Sequence, residues 1–99
     1  MNNPFAKLAQ IDGYIESLFG GNDAALAQNL VDAEAAGLPP INVSANQGRL
    51  LFLLATIAKA ERVLEIGTLG GYSTTWLARA LPSSKIGRAS CRERVYGTV

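Results

Sequence analysis

The sequence of 99 residues contains no histidine and a single cysteine, Cys91, and both shortages exclude whole classes of chemistry. Without histidine, the chain cannot form a Ser-His or Cys-His catalytic pair. One cysteine makes neither an internal disulfide bond nor a cysteine-built metal site. No apolar run approaches membrane-spanning length, and the N-terminus lacks a basic-then-apolar secretion signal. We therefore expect a cytosolic protein with no membrane partner.

Charged residues are also few, and they are unevenly distributed. They make up 17% of the chain, with a net charge of +1. Residues 1–85 carry six Lys/Arg and seven Asp/Glu, whereas residues 86–99 carry three arginines and one glutamate. Because nucleic-acid-binding domains cluster positive charge on one face, we expect no nucleic-acid partner. The length and the 48% hydrophobic content are those of one small globular domain at most.

Apolar residues at helical spacing predict two helices in the first part of the chain. The first is predicted over residues 5–19 and ends at Gly20-Gly21. The second starts at Asn22 or Asp23, either of which can cap a helix. Gly37 is predicted as the left-handed residue that ends it.

A third helix, a strand and a fourth helix follow. Ser44 and Gln47 have the S-x-x-Q spacing of a capping box, which predicts a helix that begins at Ser44. Arg62–Ile66 is apolar on both faces, which predicts a strand at the buried centre of a parallel sheet. A fourth helix is predicted over residues 73–81, with Trp76 packed against that sheet.

A glycine-rich turn joins the predicted strand to the fourth helix and reads E-x-G-x-x-G-G-Y-S over residues 65–73. The dinucleotide fingerprint needs glycines where Leu69 and Tyr72 stand, and a P-loop needs a Gly-Lys pair that is absent. An acid at the carboxyl end of the strand, Glu65, can instead meet a cationic ligand group. Glycines let the backbone approach the ligand closely. Ser73 and the N–H groups beside it can donate to a carboxylate. S-adenosylmethionine (SAM) carries both of these ligand groups on a nucleoside.

Two segments give the chain a family resemblance. Residues 63–73, VLEIGTLGGYS, are similar to the first cofactor motif of SAM-dependent O-methyltransferases of the caffeoyl-CoA/catechol type. GLPPINVS and QGRLL, within residues 37–51, resemble the segment that lies over the methionine end of the cofactor in that family. The resemblance covers residues 4–84. It implies an α/β fold, the N-terminal part of a class I (Rossmann-like) methyltransferase domain with three helices before one strand-loop-helix unit.

The resemblance also implies a site and an activity. Val43 would contact the methionyl group through its backbone, and Tyr72 and Ser73 would complete the pocket. The family transfers the methyl group of SAM to a hydroxyl of a catechol-like acceptor, and many members use a divalent cation. The first helices help form a lid and often a homodimer contact. We predict no catalytic or metal-binding residue in this chain. The predicted cofactor-binding residues are Val43, Glu65, Gly67, Thr68, Gly71, Tyr72 and Ser73.

The end of the chain departs from the family pattern. Residues 86–95 resemble the translation of a common short-read sequencing adapter. We therefore interpret residues 1–85 as an N-terminal fragment of an O-methyltransferase domain and residues 86–99 as a non-native tail. The later strands of the family are missing, so the fragment itself is predicted to be inactive. Two alternatives stay open: a non-catalytic helical module that binds a partner, and a nucleotide-binding domain of another α/β enzyme.

Overall fold

A computed structural model describes residues 3–82, which form four α-helices. They are α1 (Pro4–Phe19), α2 (Ala24–Ala35), α3 (Ala45–Ile57) and α4 (Tyr72–Ala78). All four lie where the sequence predicts helices, with ends that differ by a few residues. The predicted boundary at residue 86 and the tail that follows it lie outside the described residues. None of the helices in this part of the chain has the length and apolar character needed to cross a bilayer.

Helix α2 has the ends that the sequence predicts. Asp23 is its N-cap, and the carboxylate accepts a hydrogen bond from the Leu26 amide at 3.0 Å. At the other end, Gly37 has φ of 79°, and the Leu38 amide donates to the Ala33 carbonyl at 3.0 Å. A hydrogen bond from an amide to the carbonyl five positions earlier is typical of a Schellman motif. This motif needs a residue in the left-handed conformation and so favours glycine.

Helix α3 begins with the predicted capping box. The Gln47 amide donates to the Ser44 hydroxyl at 3.1 Å, and the Ser44 amide donates to the Gln47 side chain at 2.8 Å. Both interactions lie within one turn of chain, so residues close in sequence are sufficient to form them.

The predicted strand is wrong for the part of the chain that the structure describes. Arg62–Ile66 has no regular secondary structure and bends at Ile66, and residues 3–82 contain no β-strand. A strand needs a hydrogen-bonded neighbour, and the remaining described residues are helices and connections. The side chains of Leu64 and Ile66 are consequently 87% and 86% exposed.

Trp76 also packs differently from the prediction. It lies against α3, whose Gly48 leaves room for the indole ring, and not against a sheet. The buried residues Leu26, Tyr72 and Trp76 form a small core between α2, α3 and α4. Partly buried Leu30, Val43 and Phe52 pack against it.

Helix α1 is held to the rest of the described residues by polar contacts. Asn46 of α3 donates to the carboxylate of Asp12 at 2.9 Å, and Arg49 donates to the carbonyl of Gly20 at 3.0 Å. No side chain of α1 is buried. Polar contacts at two points therefore position a helix whose apolar residues, apart from the partly buried Ile15, mostly face solvent.

Candidate functional site

A cavity of about 530 Å³ lies between α2 and the connection that leads into α3. Its apolar wall comes from α2 and from that connection, and Tyr72 at the start of α4 closes one side. Besides Tyr72, the apolar lining residues are Leu30, Ala33, Leu38, Pro39, Pro40, Val43 and Ala45. Two of the seven predicted cofactor-binding residues, Val43 and Tyr72, thus meet at one cavity.

The charges around this cavity have one sign. Glu16 and Glu34 contribute carboxylates to the lining, and among the described residues no lysine or arginine lines it. Asn22, Asn42 and Ser44 add neutral polar groups. The potential inside is therefore negative, which favours a ligand with a cationic group over an anionic one.

Tyr72 is fixed on both its apolar and its polar side. Its ring is 2% exposed, and its hydroxyl donates to the Oδ1 atom of Asn22, fifty positions earlier in the chain. A buried tyrosine hydroxyl normally finds such a partner. The cavity wall formed by Tyr72 is thus tied to the residue that precedes the cap of α2.

The glycine-rich turn uses backbone conformations that most residues avoid. Gly67 and Gly71 have φ of 83° and 85°, and Leu69 between them has φ of 54°. The Gly71 amide donates to the carbonyl of the buried Thr68 at 3.0 Å. Leucine in this conformation is strained, and strain of this kind often accompanies functional turns.

Glu65 lies next to the start of α4 and accepts two hydrogen bonds. Their donors are the hydroxyls of Ser73 and Thr74. An ionised carboxylate has about four lone-pair positions, so roughly two stay available for a ligand. The hydroxyl of Ser73, which we predicted near the amino-acid end of a cofactor, is directed to Glu65 instead of into the cavity.

The structure thus places the predicted residues in two neighbouring groups. Val43 and Tyr72 line the cavity, whereas Glu65 and Ser73 bind each other across the start of α4. Gly67, Thr68 and Gly71 belong to the turn and are not part of the cavity lining. The two groups are adjacent in sequence, because Glu65 precedes the turn and Tyr72 and Ser73 follow it directly.

Sequence reasoning missed three residues that shape the site: Asn22, Asn29 and Thr74. Thr74 had a local signal, since it follows Ser73 and offers a second hydroxyl on the same helical turn. Asn22 and Asn29 had none, because their partners Tyr72 and Gly70 lie 50 and 41 positions away.

A divalent cation does not fit the described residues. Between residues 3 and 82, His, Cys, Asp and Glu side chains form no group of three that could hold a metal ion. Oxygen-rich cation sites need several such ligands together.

Comparison with known proteins identifies the family. The model of the O-methyltransferase family matches residues 20–91, which is more than half of the chain, and the chain belongs to that family. A catechol O-methyltransferase of Mycobacterium tuberculosis is 56% identical over 69 residues, which are 70% of this chain and 31% of the relative. A catechol O-methyltransferase of Niastella koreensis is 48% identical over 84 residues, 85% of this chain and 37% of the relative.

A solved structure resembles the described helices. It is that of an O-methyltransferase from Bacillus cereus in complex with SAH (S-adenosylhomocysteine), with a TM-score of 0.72 and 47% identity. The match covers 80% of this chain and 35% of that one. The chain thus spans about a third of the length of the curated relatives and of the structure that it matches. The likeness confirms that these helices are arranged as in the matching part of a methyltransferase fold.

Proposed function

We propose that this chain provides the first cofactor-binding part of an enzyme that transfers a methyl group from SAM to a hydroxyl of a small catechol-like acceptor. The main structural support is the negative cavity that brings Val43 and Tyr72 together beside the glycine-rich turn. The catechol O-methyltransferases of similar sequence support the reaction. The Bacillus cereus protein with bound SAH supports the cofactor, since SAH is what SAM becomes after it has given up its methyl group.

The described residues fit a cationic nucleoside cofactor. The cavity volume lies within the range of about 300–1,000 Å³ that is usual for small-molecule sites. Glu65 keeps lone pairs for a cationic or hydroxyl group, and Glu16 and Glu34 add negative charge. A nicotinamide dinucleotide would bring a negatively charged pyrophosphate next to these carboxylates. The charge of the site therefore favours SAM over the dinucleotide alternative.

Bound SAM would supply an activated methyl group, carried on a positively charged sulfur, for transfer to the acceptor oxygen. The residues of this chain would hold that methyl group in line with the acceptor, and positioning of this kind provides much of the rate in such transfers. Val43 and Tyr72 would form the wall, and Glu65 would bind a polar end of the cofactor. We assign no acid, base or metal role to a described residue. We expect the 99-residue chain alone to methylate no catechol above background.

A ligand titration of the 99-residue chain tests this proposal. We expect SAM and SAH to cause saturable changes in the amide resonances of Val43, Tyr72 and the 67–71 turn, and NAD at equal concentration to cause none. Saturable changes with NAD and not with SAM would overturn the choice of cofactor. A radiolabelled methyl-transfer assay with catechol on the same sample tests the expected inactivity, which methylated product above background would contradict.

We also propose that the full-length protein pairs with a second copy through α1. Helix α1 buries no side chain and exposes large apolar residues along its length. They are Phe5, Leu8, Ile11, Tyr14, Leu18 and Phe19. Exposed apolar patches of this kind mark interaction surfaces. In the full-length protein, we expect Leu8→Lys with Leu18→Lys to convert a dimer into a monomer by sedimentation velocity. An unchanged dimer would exclude α1 as the interface.

A further inference from the structure

Asn29 of α2 makes the one long-range side-chain hydrogen bond described to the backbone of the glycine-rich turn. Its Nδ2 atom donates to the carbonyl oxygen of Gly70 at 2.8 Å, across 41 positions of sequence. The side chain is partly buried, and its Oδ1 atom is buried without a hydrogen-bond partner among residues 3–82. The hydrogen bond to Gly70 therefore offsets only part of the cost of burying this amide, and it is the polar contact described for it.

A second contact lies one helical turn further along α2. A Cβ atom built on Gly70 would lie 2.9 Å from the Cβ of Ala33 and 3.4 Å from the Cδ1 of Leu38, so the turn backbone sits directly on α2. A Cβ on Gly71 would lie 3.8 Å from the Nδ2 of Asn29. Asn29 and Ala33 are four positions apart and share one face of the helix. That face supports the turn through one hydrogen bond and one close packing contact.

The turn needs such support. Gly67, Leu69 and Gly71 all have positive φ, a conformation in which leucine is strained. Strained backbone persists only where its surroundings hold it in place. In addition, the Gly70 carbonyl faces a helix side, where a missing partner would leave a poorly solvated acceptor unpaired.

From these contacts we infer that Asn29 is a positioning residue: its amide holds the Gly70–Gly71 turn against α2 and so sets the turn's place relative to the cavity. Helix α2 also contributes Leu30, Ala33 and Glu34 to the cavity lining, so one helix carries both the cavity wall and the support of the turn. The consequence for cofactor binding rests on the function proposed above. The support of the turn by Asn29 does not.

The test uses two substitutions in the 99-residue chain that differ in what they can donate. Asn29→Leu removes the donor at every pH. Asn29→Asp presents an acceptor-only carboxylate to Gly70 at neutral pH and regains an O–H donor when it is protonated, near pH 4 for an ordinary aspartate. Gln10→Glu adds the same charge at an exposed position of α1 and serves as the control. Circular dichroism checks that each variant keeps its helices.

The readout is the amide nitrogen resonance of Gly71, whose nitrogen is bonded to the Gly70 carbonyl carbon. Other carboxylates titrate in every variant, so each spectrum is compared with the unsubstituted chain at the same pH. In Asn29→Asp, we expect the Gly71 resonance to be shifted from that of the unsubstituted chain at pH 7 and to return toward it below about pH 4. In Asn29→Leu, the Gly71 resonance stays shifted at every pH. In Gln10→Glu, it coincides with that of the unsubstituted chain. Coincidence of all variants at pH 7, or an equal displacement of both Asn29 variants at every pH, would overturn the hydrogen-bonding role. If Asn29→Leu does not fold, the pH response of Asn29→Asp decides alone.

A SAM titration of the same samples at pH 7 separates this inference from the proposed function. We expect Asn29→Asp to weaken binding roughly tenfold, about the worth of one hydrogen bond, whereas Gln10→Glu leaves the affinity unchanged. No binding by the unsubstituted chain would count against the proposed function, and the Gly71 resonance would still decide the role of Asn29. Equal affinities despite a displaced Gly71 would show that the turn's position does not matter to the cofactor, and would overturn that consequence.

Discussion

The indole ring of Trp76 lies in the space that a side chain at position 48 would occupy. A Cβ atom built on Gly48 would overlap the Cδ1 and Nε1 atoms of Trp76. The guanidinium carbons of Arg49 and Arg79 lie 5.4 Å and 5.7 Å from the centre of the same ring, within the range of cation–π attraction. The packing of α4 on α3 therefore depends on Gly48, a residue that no amphipathic pattern in the sequence points to.

Gly48→Ala should destabilise the chain by about 1–3 kcal/mol, because the ring or the helix must move to relieve the overlap. Gly13→Ala is the matched control, since it also lies inside a helix but has no atom within 4 Å of its missing Cβ. There alanine should stabilise by up to about 1 kcal/mol through helix propensity. Urea denaturation followed by circular dichroism measures both. Equal effects of the two substitutions would show that Trp76 does not pack on Gly48.

The ion pair between Asp23 and Arg79 should make stability depend on pH in acid. The Arg79 guanidinium lies 2.8 Å from the carboxylate, and its hydrogen bond is the main cause that lowers the pKa of Asp23 below its ordinary value of 3.8. A lowered folded-state pKa means that the contribution is fully present above pH 3.8 and is lost as the pH falls through the lower, folded-state value. The Asp23 side chain is 55% exposed and the Arg79 side chain 34%, so solvent screens the pair and the effect is small.

The measurement is the stability difference between the unsubstituted chain and Asp23→Asn, which keeps the helix cap but loses the charge. That difference should be constant from pH 7 to pH 5 and shrink below pH 3.8. Asp32→Asn, on the same helix away from Arg79, removes an equal charge as a control. A difference for Asp23→Asn that grows in acid would contradict the ion pair.

Glu65→Gln should reduce the affinity for SAM by roughly tenfold or more, because hydrogen bonds to a charged group are the stronger ones. Thr74→Ala removes one hydroxyl that donates to Glu65 but leaves the carboxylate in place. It should therefore lower the melting temperature and change the affinity little. If both substitutions affect only the melting temperature, Glu65 supports the start of α4 and does not bind the cofactor. Calorimetric titration and thermal melts of the same samples distinguish the two roles.

The segment Arg62–Ile66 should make the 99-residue chain associate with itself as its concentration rises. Leu64 and Ile66 are exposed, and the segment's backbone pairs with no strand among the described residues. Exposed apolar segments whose backbone is unpaired recruit other chains. Leu64→Lys with Ile66→Lys should raise the monomer fraction in sedimentation velocity.

Val31→Lys, which removes a single exposed apolar side chain on α2, is the control for that experiment. If the unsubstituted chain is monomeric and melts cooperatively, that result would favour a non-catalytic partner-binding module over a fragment of a methyltransferase. Association that only the α1 substitutions Leu8→Lys and Leu18→Lys abolish would place the contact on α1.

The features predicted correctly from the sequence are the local ones. The capping box at Ser44 and the Schellman motif at Gly37 close within a few residues, so the amino-acid order determines them. The strand at Arg62–Ile66 failed for the opposite reason. A strand exists only with a partner, and apolar character on both faces indicates burial without supplying what buries it.

The same distinction holds at the candidate site. Val43 and Tyr72 were predicted as cofactor-binding residues from a family resemblance; the structure places both on one cavity, and their role there stays a prediction. Asn22 and Asn29 could not be identified, because an asparagine in or before a helix is usually a solvated residue or a cap. Their importance arises only when folding brings them to Tyr72 and Gly70.

The connection over residues 38–43 is anchored at both ends by hydrogen bonds with the adjoining helices, from Leu38 to Ala33 and between Ser44 and Gln47. It also supplies Leu38, Pro39, Pro40 and Val43 to the cavity lining. Within this wall, Leu38 lies against Gly70 and Val43 packs against the core, whereas Pro39 and Pro40 are exposed. Replacing these two prolines would reshape the space offered to a ligand without changing either helix, which makes them the natural place to redesign selectivity.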